Sequence, residues 1–361
     1  MTDRPRLIVH IGAGKTGSSS IQLTLSNNAA ALAAQGVKYL GLMLEHAVTQ
    51  TGRDWQRTPG SPAFFAGAEP PANHAQDLER ILSDELAAAS DAGLHTLIWS
   101  NEWMYSRHDR VLEALLRLRA AGHPVQVICY LRRHDKWVQS AYTQWGLKNK
   151  TYPGPIRPYG AWKQGRSFAQ MPAVQPWIDA FGLDCLLFNF DAVGDVVTHF
   201  NARLGLTGLV PENDNISPDA AELAAWSVYN NRFDEVIAAG RFPQLLQPTL
   251  AQDALKARLP PLDALMPTPE DLARVVEENA ADIAALNAAF AARGEAALRF
   301  DSPARQSQHP APWEMDQFML KMIFALQEQI MGLRARLARA EAALAQEGKT
   351  PLPPKATPPK G

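Results

Sequence analysis

Residues 12–20, GAGKTGSSS, set Gly12, Gly14 and Gly17 around a single lysine, Lys15, with hydroxyls at Thr16, Ser18, Ser19 and Ser20. The apolar run LIVHI (7–11) precedes them and a helix-like segment from about Ser18 to Gln35 follows. A strand that turns through glycines into a helix start gathers backbone N–H groups at one place, and the helix dipole favours an anion there. Lys15 adds a positive point charge, and the hydroxyls add donors. Helix capping alone needs one hydroxyl. Four hydroxyls, a lysine and flanking glycines suit phosphate binding better.

An ATP loop of the G-x-x-x-x-G-K-[ST] form is matched at its end by Gly14-Lys15-Thr16, but its first glycine would fall on Val9. The later strand VICYL runs into Arg132-Arg133, the wrong charge for Mg²⁺. An ordinary nucleoside triphosphatase is therefore disfavoured, and no metal site is expected.

HIGAGKTGSSSIQ and YLRRHDKWVQSAYTQW together resemble two signatures of the PAPS-dependent sulfotransferases, bacterial type. The first is similar to that family's 5′-phosphosulfate loop, usually close to K-[TS]-G-T-[TS]; here Ser18-Ser19 stand where Thr is usual. The second is an Arg after a later strand with a Ser eight residues on, which together hold the donor's 3′-phosphate. Arg132 and Ser140 have that spacing; Arg133 does not, because position 141 is Ala. A guanidinium fork suits a doubly charged phosphate. The order strand LLFNF, LGL (204–206) and NISPDAAEL is also similar to bacterial members, so the resemblance covers roughly residues 6–235. It implies a P-loop-like three-layer fold and transfer of a sulfuryl group from PAPS to a hydroxyl or amine, on a carbohydrate or glycolipid acceptor. It assigns Gly14, Lys15, Thr16, Gly17, Ser18 and Ser19 to the 5′ side of the donor and Arg132 and Ser140 to the 3′ side. Lys15 would also offset charge on the leaving phosphate oxygen. The R-K-G segment of some cytosolic members is not evident, which leaves the adenine contacts unassigned.

Such a transfer calls for a base, and family members use His or Glu. Glu102, in WSNEWMYSR, directly follows a strand at the expected cleft edge and is the first candidate. A carboxylate at a helix N-terminus is its plainer role. Glu45 and His46, after the second strand, and His108 remain alternatives, while His10 reads as a packed strand residue. Trp99, Trp103, Tyr105, Tyr142 and Trp145 lie near these motifs and suit either stacking on a ligand or core packing.

The elements that must position these groups alternate. Strands are expected at 7–11, 37–40, 94–100, 125–131 and 184–190, with helices at 18–35, 75–92, 108–121 and 135–148 between them. This pattern predicts an α/β fold with a central, mainly parallel sheet covered on both faces. Residues 51–74 read as a long loop that Trp55, Phe64 and Phe65 pack down, and 151–167 as a second loop. From about residue 215 the chain turns helical, with stretches at 249–258 and 269–293. In 313–346 apolar residues alternate at spacings of four and three: Ile323, Ile330, Leu337 and Leu344 at heptad position a, and Met319, Leu326, Leu333 and Ala340 at d. This heptad predicts a coiled-coil helix and a homo-oligomer. Three segments result: a sulfotransferase-like domain over 1–310, the coil over 311–346 and a disordered tail over 347–361.

The chain has 361 residues, 46% of them hydrophobic, and 35 basic against 37 acidic side chains give a net charge of −2. That balance gives no argument for nucleic acid or an anionic membrane surface, and any anion site must be local. Cys129 and Cys185 sit in apolar strand-like runs and read as buried and reduced. With no signal-like or membrane-spanning stretch, a soluble cytoplasmic protein is expected. Two other readings stay open: a P-loop kinase or nucleotide hydrolase, and a non-catalytic, coil-dimerised module that retains a phosphate site.

Overall fold

A computed structural model describes residues 4–57, 61–212, 220–231, 233–237, 262–300 and 310–346. The expected helix at 249–258, the start of the helical region at 213–219 and the tail at 347–361 lie outside the described residues. The chain divides into two compact units. One comprises Met1–Tyr142, Tyr159–Ser217 and Met266–Gln306; the other comprises Thr143–Pro158, Pro218–Leu265 and Ser307–Gly361.

The first unit is α/β. Its strands are β1 (Arg6–His10), β2 (Val37–Tyr39), β3 (Thr96–Ser100), β4 (Val125–Leu131) and β5 (Cys185–Asn189), all parallel in the order β2-β3-β1-β4-β5. Its helices are α1 (Ser18–Asn27), α2 (Ala29–Ala33), α3 (Ser61–Phe65), α4 (His74–Asp91), α5 (Leu112–Ala120), α6 (His134–Ala141), α7 (Tyr159–Trp162), α8 (Met171–Phe181) and α9 (Val196–Leu204).

Alternate strand residues point to opposite faces, so each strand feeds two cores. Leu7, Val9, Leu97, Trp99, Val127, Cys129 and Leu187 join side chains of α4, α5 and α8 in one. Ile8, Ile98, Ile128, Tyr130 and Phe188 join Ile21 and Leu25 of α1 and Phe200 of α9 in the other. Both faces are covered, which is why the strands read as continuous apolar runs. Cys129 and Cys185 are free and buried among them, and burial pushes both thiols up, that of Cys185 to about 12.

Several elements differ from the sequence expectation. The first helix breaks at Asn28 into α1 and α2. Residues 51–74 carry a 3₁₀ turn, Asp54–Gln56, and the helical turn α3. Phe64 packs on Trp55 and Phe65, and Phe65 stacks on Trp103 at 6.5 Å, so the segment is tied down beside β3. The helix after β4 ends as α6 at Ala141 and a wider π turn, Tyr142–Lys148, follows. Within 151–167, Tyr159–Trp162 forms the short turn α7.

Four further helices follow: α10 (Ala220–Asn230), α11 (Leu262–Leu265), α12 (Pro269–Glu278) and α13 (Ala280–Ala291). The last two replace one expected helix, which breaks at Asn279, and belong to the sheet-bearing unit. In the other unit the buried ammonium of Lys150 donates to the carbonyls of Gly154 and Phe233. That unit ends in α14 (Pro312–Gln346), a single helix of 35 residues. No helix among the described residues is long and apolar enough to cross a membrane.

Phe64 is fully buried at the centre of the aromatic group. Phe64→Ala is expected to cost about 3–5 kcal/mol of unfolding free energy, read by urea denaturation.

Candidate functional site

In an open parallel sheet, ligands collect outside the carboxyl ends of the strands, where the chain switches from one side to the other. Here β1 lies between β3 and β4, so that place is the end of β1. The segments leaving β1, β3 and β4 are Gly12–Ser20, Asn101–Glu102 and Arg132–Arg133.

The loop after β1 is held from outside. Trp137 of α6 donates its indole N–H to the Gly14 carbonyl at 2.9 Å, and Arg132 Nη1 donates to the Lys15 carbonyl at 3.2 Å. A trans peptide sets its C=O and N–H on opposite sides. Pinning these two carbonyls therefore turns the N–H groups of Lys15 and Thr16 away from Trp137 and Arg132. Lys15 itself sits in the left-handed region at φ 69°, unusual for a residue with a side chain. Such a backbone is kept only where the surroundings over-determine it.

The hydroxyls do not cap the helix. Gly17, at φ 80°, is the residue before α1 and has no side chain to accept from the first turn. Thr16 turns its hydroxyl back to the Ala13 carbonyl. Ser19 is exposed on the first turn of α1. No N-cap side chain thus competes for the first-turn N–H groups, an arrangement that favours an anion.

Behind the loop lies a buried polar group. Nδ1 of His10 shares a hydrogen bond of 2.7 Å with the Ser100 hydroxyl, which also accepts from the Gln22 amide at 3.2 Å. His10 Nε2 and the Ser18 hydroxyl are both buried without a partner. A Cβ on Gly12 would stand 2.1 Å from Ser18 Oγ and 3.1 Å from His10 Nε2, so only glycine fits between them. His10 is the packed strand residue the sequence suggests, and burial lowers its pKa to about 3.

Arg132 and its neighbour separate sharply. Arg133 is buried against Asp135 in a two-pronged pair at 2.8 and 2.6 Å. Arg132 stays half-buried, lies 5.1 Å over the Phe190 ring and keeps a buried Nε with no hydrogen bond. Burial works against its charge; Asp191, 3.9 Å away, works for it. Asp191 also accepts from the Arg133 backbone and pairs with Lys136 at 3.2 Å. The Gln170 side chain grips the Arg132 backbone on both sides, donating to its carbonyl at 2.7 Å and accepting from its N–H at 3.4 Å. Asp282 anchors that grip by accepting from His134 Nε2 and from the N–H groups of Gln170 and Met171. Burial opposes the Asp282 charge, but these bonds outweigh it and hold its carboxyl below the usual range.

Glu102 opens the 3₁₀ turn Glu102–Tyr105, whose N-cap is Asn101. Its side chain as a whole is exposed, while its carboxyl end is crowded by the protein. The crowding raises its pKa and the Lys15 ammonium pulls it partly back.

Lys15, Glu102 and Arg132 thus fall together around the loop. Ser140 lies half-buried near the end of α6 and has no hydrogen bond to Arg132. Glu45 accepts from the N–H groups of Leu42 and Met43 and closes its own loop, and His46 is exposed and directed at the Tyr39 carbonyl. His108 is half-buried in the turn before α5, with Nδ1 unpartnered. Among the aromatics of the first unit, Trp99, Tyr105 and Tyr142 are committed to the fold; Trp103 is exposed beside Glu102. Trp137, Gln170 and Asp282 were missed by sequence reasoning. Trp137 alone had a signal, an aromatic five residues past Arg132 on the helix that follows it. A pocket of about 190 Å³ between Arg6, Arg119, His123 and Asp184 lies at the strands' amino ends and has no part in this site.

A comparison with protein-family models, with curated proteins and with solved structures found no match.

Two outcomes are expected. Trp137→Phe keeps the ring and loses the donor to Gly14; binding of inorganic phosphate should weaken about fivefold, one net hydrogen bond, with little change in melting temperature. His10 has a folded pKa of about 3 against 6.5 when free. The unfolded chain therefore takes up a proton that the folded chain refuses, and this term removes stability as pH falls from 6.5 towards 3. Its slope should approach about 1.4 kcal/mol per pH unit in that window, and a His10→Asn variant should show a correspondingly flatter pH dependence in urea denaturation.

Proposed function

We propose that the chain is a sulfotransferase that uses PAPS as donor, on a P-loop-like fold. The observation that carries this reading is the bond from Arg132 to the Lys15 carbonyl, which ties a 5′-type loop to a 3′-type arginine. An ATP loop has no need of that second cation. The site residues suit a doubly phosphorylated nucleotide: a helix start at α1 with no side-chain cap, an unpartnered Ser18 hydroxyl, and an Arg132 fork whose buried Nε has no hydrogen bond. PAPS would supply the activated sulfuryl group. The loop N–H groups with Thr16, Ser18 and Ser19 would orient the 5′ side, and Arg132 with Ser140 would hold the 3′-phosphate. Lys15 would offset the charge that develops on the phosphate oxygen as its bond to sulfur breaks. Glu102, with its raised pKa, would take the proton of the acceptor hydroxyl as the new O–S bond forms. The exposed Trp103 beside it offers an apolar face of the kind that stacks on a sugar ring, in line with a carbohydrate or glycolipid acceptor.

One observation favours a second reading. A carboxylate beside the loop lysine, after the strand next to β1, also suits water-mediated Mg²⁺ binding in a kinase or nucleotide hydrolase.

Adenosine 3′,5′-bisphosphate is expected to raise the melting temperature and ATP with Mg²⁺ to leave it unchanged; the reverse result overturns the proposal in favour of the second reading. With labelled PAPS and an acceptor fraction, Glu102→Gln should lower turnover by about 10²–10⁴, the usual weight of a general base. The acid limb of the wild-type pH profile should lie above the ordinary carboxylate range, because a base must be ionised and burial raises this one.

A further inference from the structure

We propose that α14 forms a parallel two-stranded coil with α14 of a second copy of this chain. The helix has two apolar stripes. One runs through Met315, Phe318, Met322 and Ala325, which are half-buried, and the helix packs on α10 of its own unit. The other is the heptad seam. Met319 and Ile323 of that seam are 50% and 47% exposed even alongside α10. Beyond it, every residue from 327 to 344 is exposed. That stretch carries Ile330, Leu333, Leu337 and Leu344, all in the same seam. A 35-residue helix spans about 52 Å at 1.5 Å per residue, and its outer half has no hydrophobic cover within the described chain.

The seam itself identifies its occupant. Ile at a with Leu at d is the combination that packs in parallel dimers, and it holds here at Ile323/Leu326 and Ile330/Leu333. In a parallel pair, position g of one chain faces position e of the next heptad in the other. This sets Arg336 opposite Glu341 and Gln329 opposite Arg334, on both sides of the coil. In an antiparallel pair g faces g and e faces e; aligned about its centre, the same segment sets Arg336 opposite Gln329, Arg334 opposite Gln327 and Glu341 opposite Leu320, and no ion pair forms. Charge and side-chain shape therefore select the same arrangement.

Sedimentation equilibrium of the full chain tests it. The expected mass is twice 39.6 kDa. Ile330→Asp with Leu337→Asp should give the monomer, and Met331→Asp, at the outward b position, should stay dimeric. All three side chains are exposed on the helix, so the fold of the rest is unaffected. Arg336→Glu should weaken the dimer, and adding Glu341→Arg should restore it. Cys129 and Cys185 are buried, so Leu344→Cys offers a thiol at the seam. In the parallel coil it should cross-link to its own copy under mild oxidation. A monomeric wild type, or a dimer that survives Ile330→Asp/Leu337→Asp, overturns the proposal; absence of the Leu344→Cys cross-link in a dimer overturns the parallel arrangement.

Discussion

The candidate site depends on the direction of two peptide groups. Trp137 and Arg132 each hold one carbonyl of the loop after β1, and peptide planarity then fixes where the next N–H groups face. Those two donors help hold the left-handed backbone at Lys15 in place. Each grip comes from the segment that follows β4, so the loop after β1 is shaped by the strand beside it. The anchoring runs further. Gln170 holds the Arg132 backbone, and Asp282 holds Gln170 and His134. The direction of a loop at residues 14–15 is thus set by residues more than a hundred positions away in the chain.

Electrostatics at the site are local and nearly balanced. Lys15, Arg132 and Lys136 supply positive charge, and Glu102 and Asp191 oppose it. Asp191 serves as the hub of the β4–β5 end, since it also receives the Arg133 backbone. This accords with a chain whose overall charge is −2. Selectivity must come from hydrogen-bond geometry at a few positions. The absence of a side chain at Gly12 is part of that geometry, because His10 and Ser18 already occupy the space.

Sequence made the strands and the first loop legible because their signals are local. Apolar runs such as VICYL need both faces covered, and Gly12, Gly14 and Gly17 mark a turn wherever they occur. The heptad in 313–346 was legible for the same reason, although its pairing is not a property of one chain. Helix α8 was not expected from the sequence; it carries Pro172 and Pro176, and Pro172 sits near the helix start, where no donor is lost. The breaks at Asn28 and Asn279 were hidden inside continuous helical patterns. Gln170 and Asp282 carried no pattern at all, since their roles exist only once β4, α8 and α13 are folded together. Glu45 shows the converse: its position after β2 suggested chemistry, but two adjacent N–H groups engage its carboxylate.

The central claim is that Arg132 and the loop form one clamp for a nucleotide with phosphates on both the 3′ and 5′ positions. Calorimetric titration with adenosine 3′,5′-bisphosphate and with adenosine 5′-phosphate tests it directly, in the wild type and in Arg132→Lys. The account predicts that the wild type prefers the bisphosphate and that Arg132→Lys, which keeps the charge but loses the fork, gives up most of that preference. Equal affinity of the wild type for the two nucleotides, or a preference that Arg132→Lys leaves intact, would contradict it.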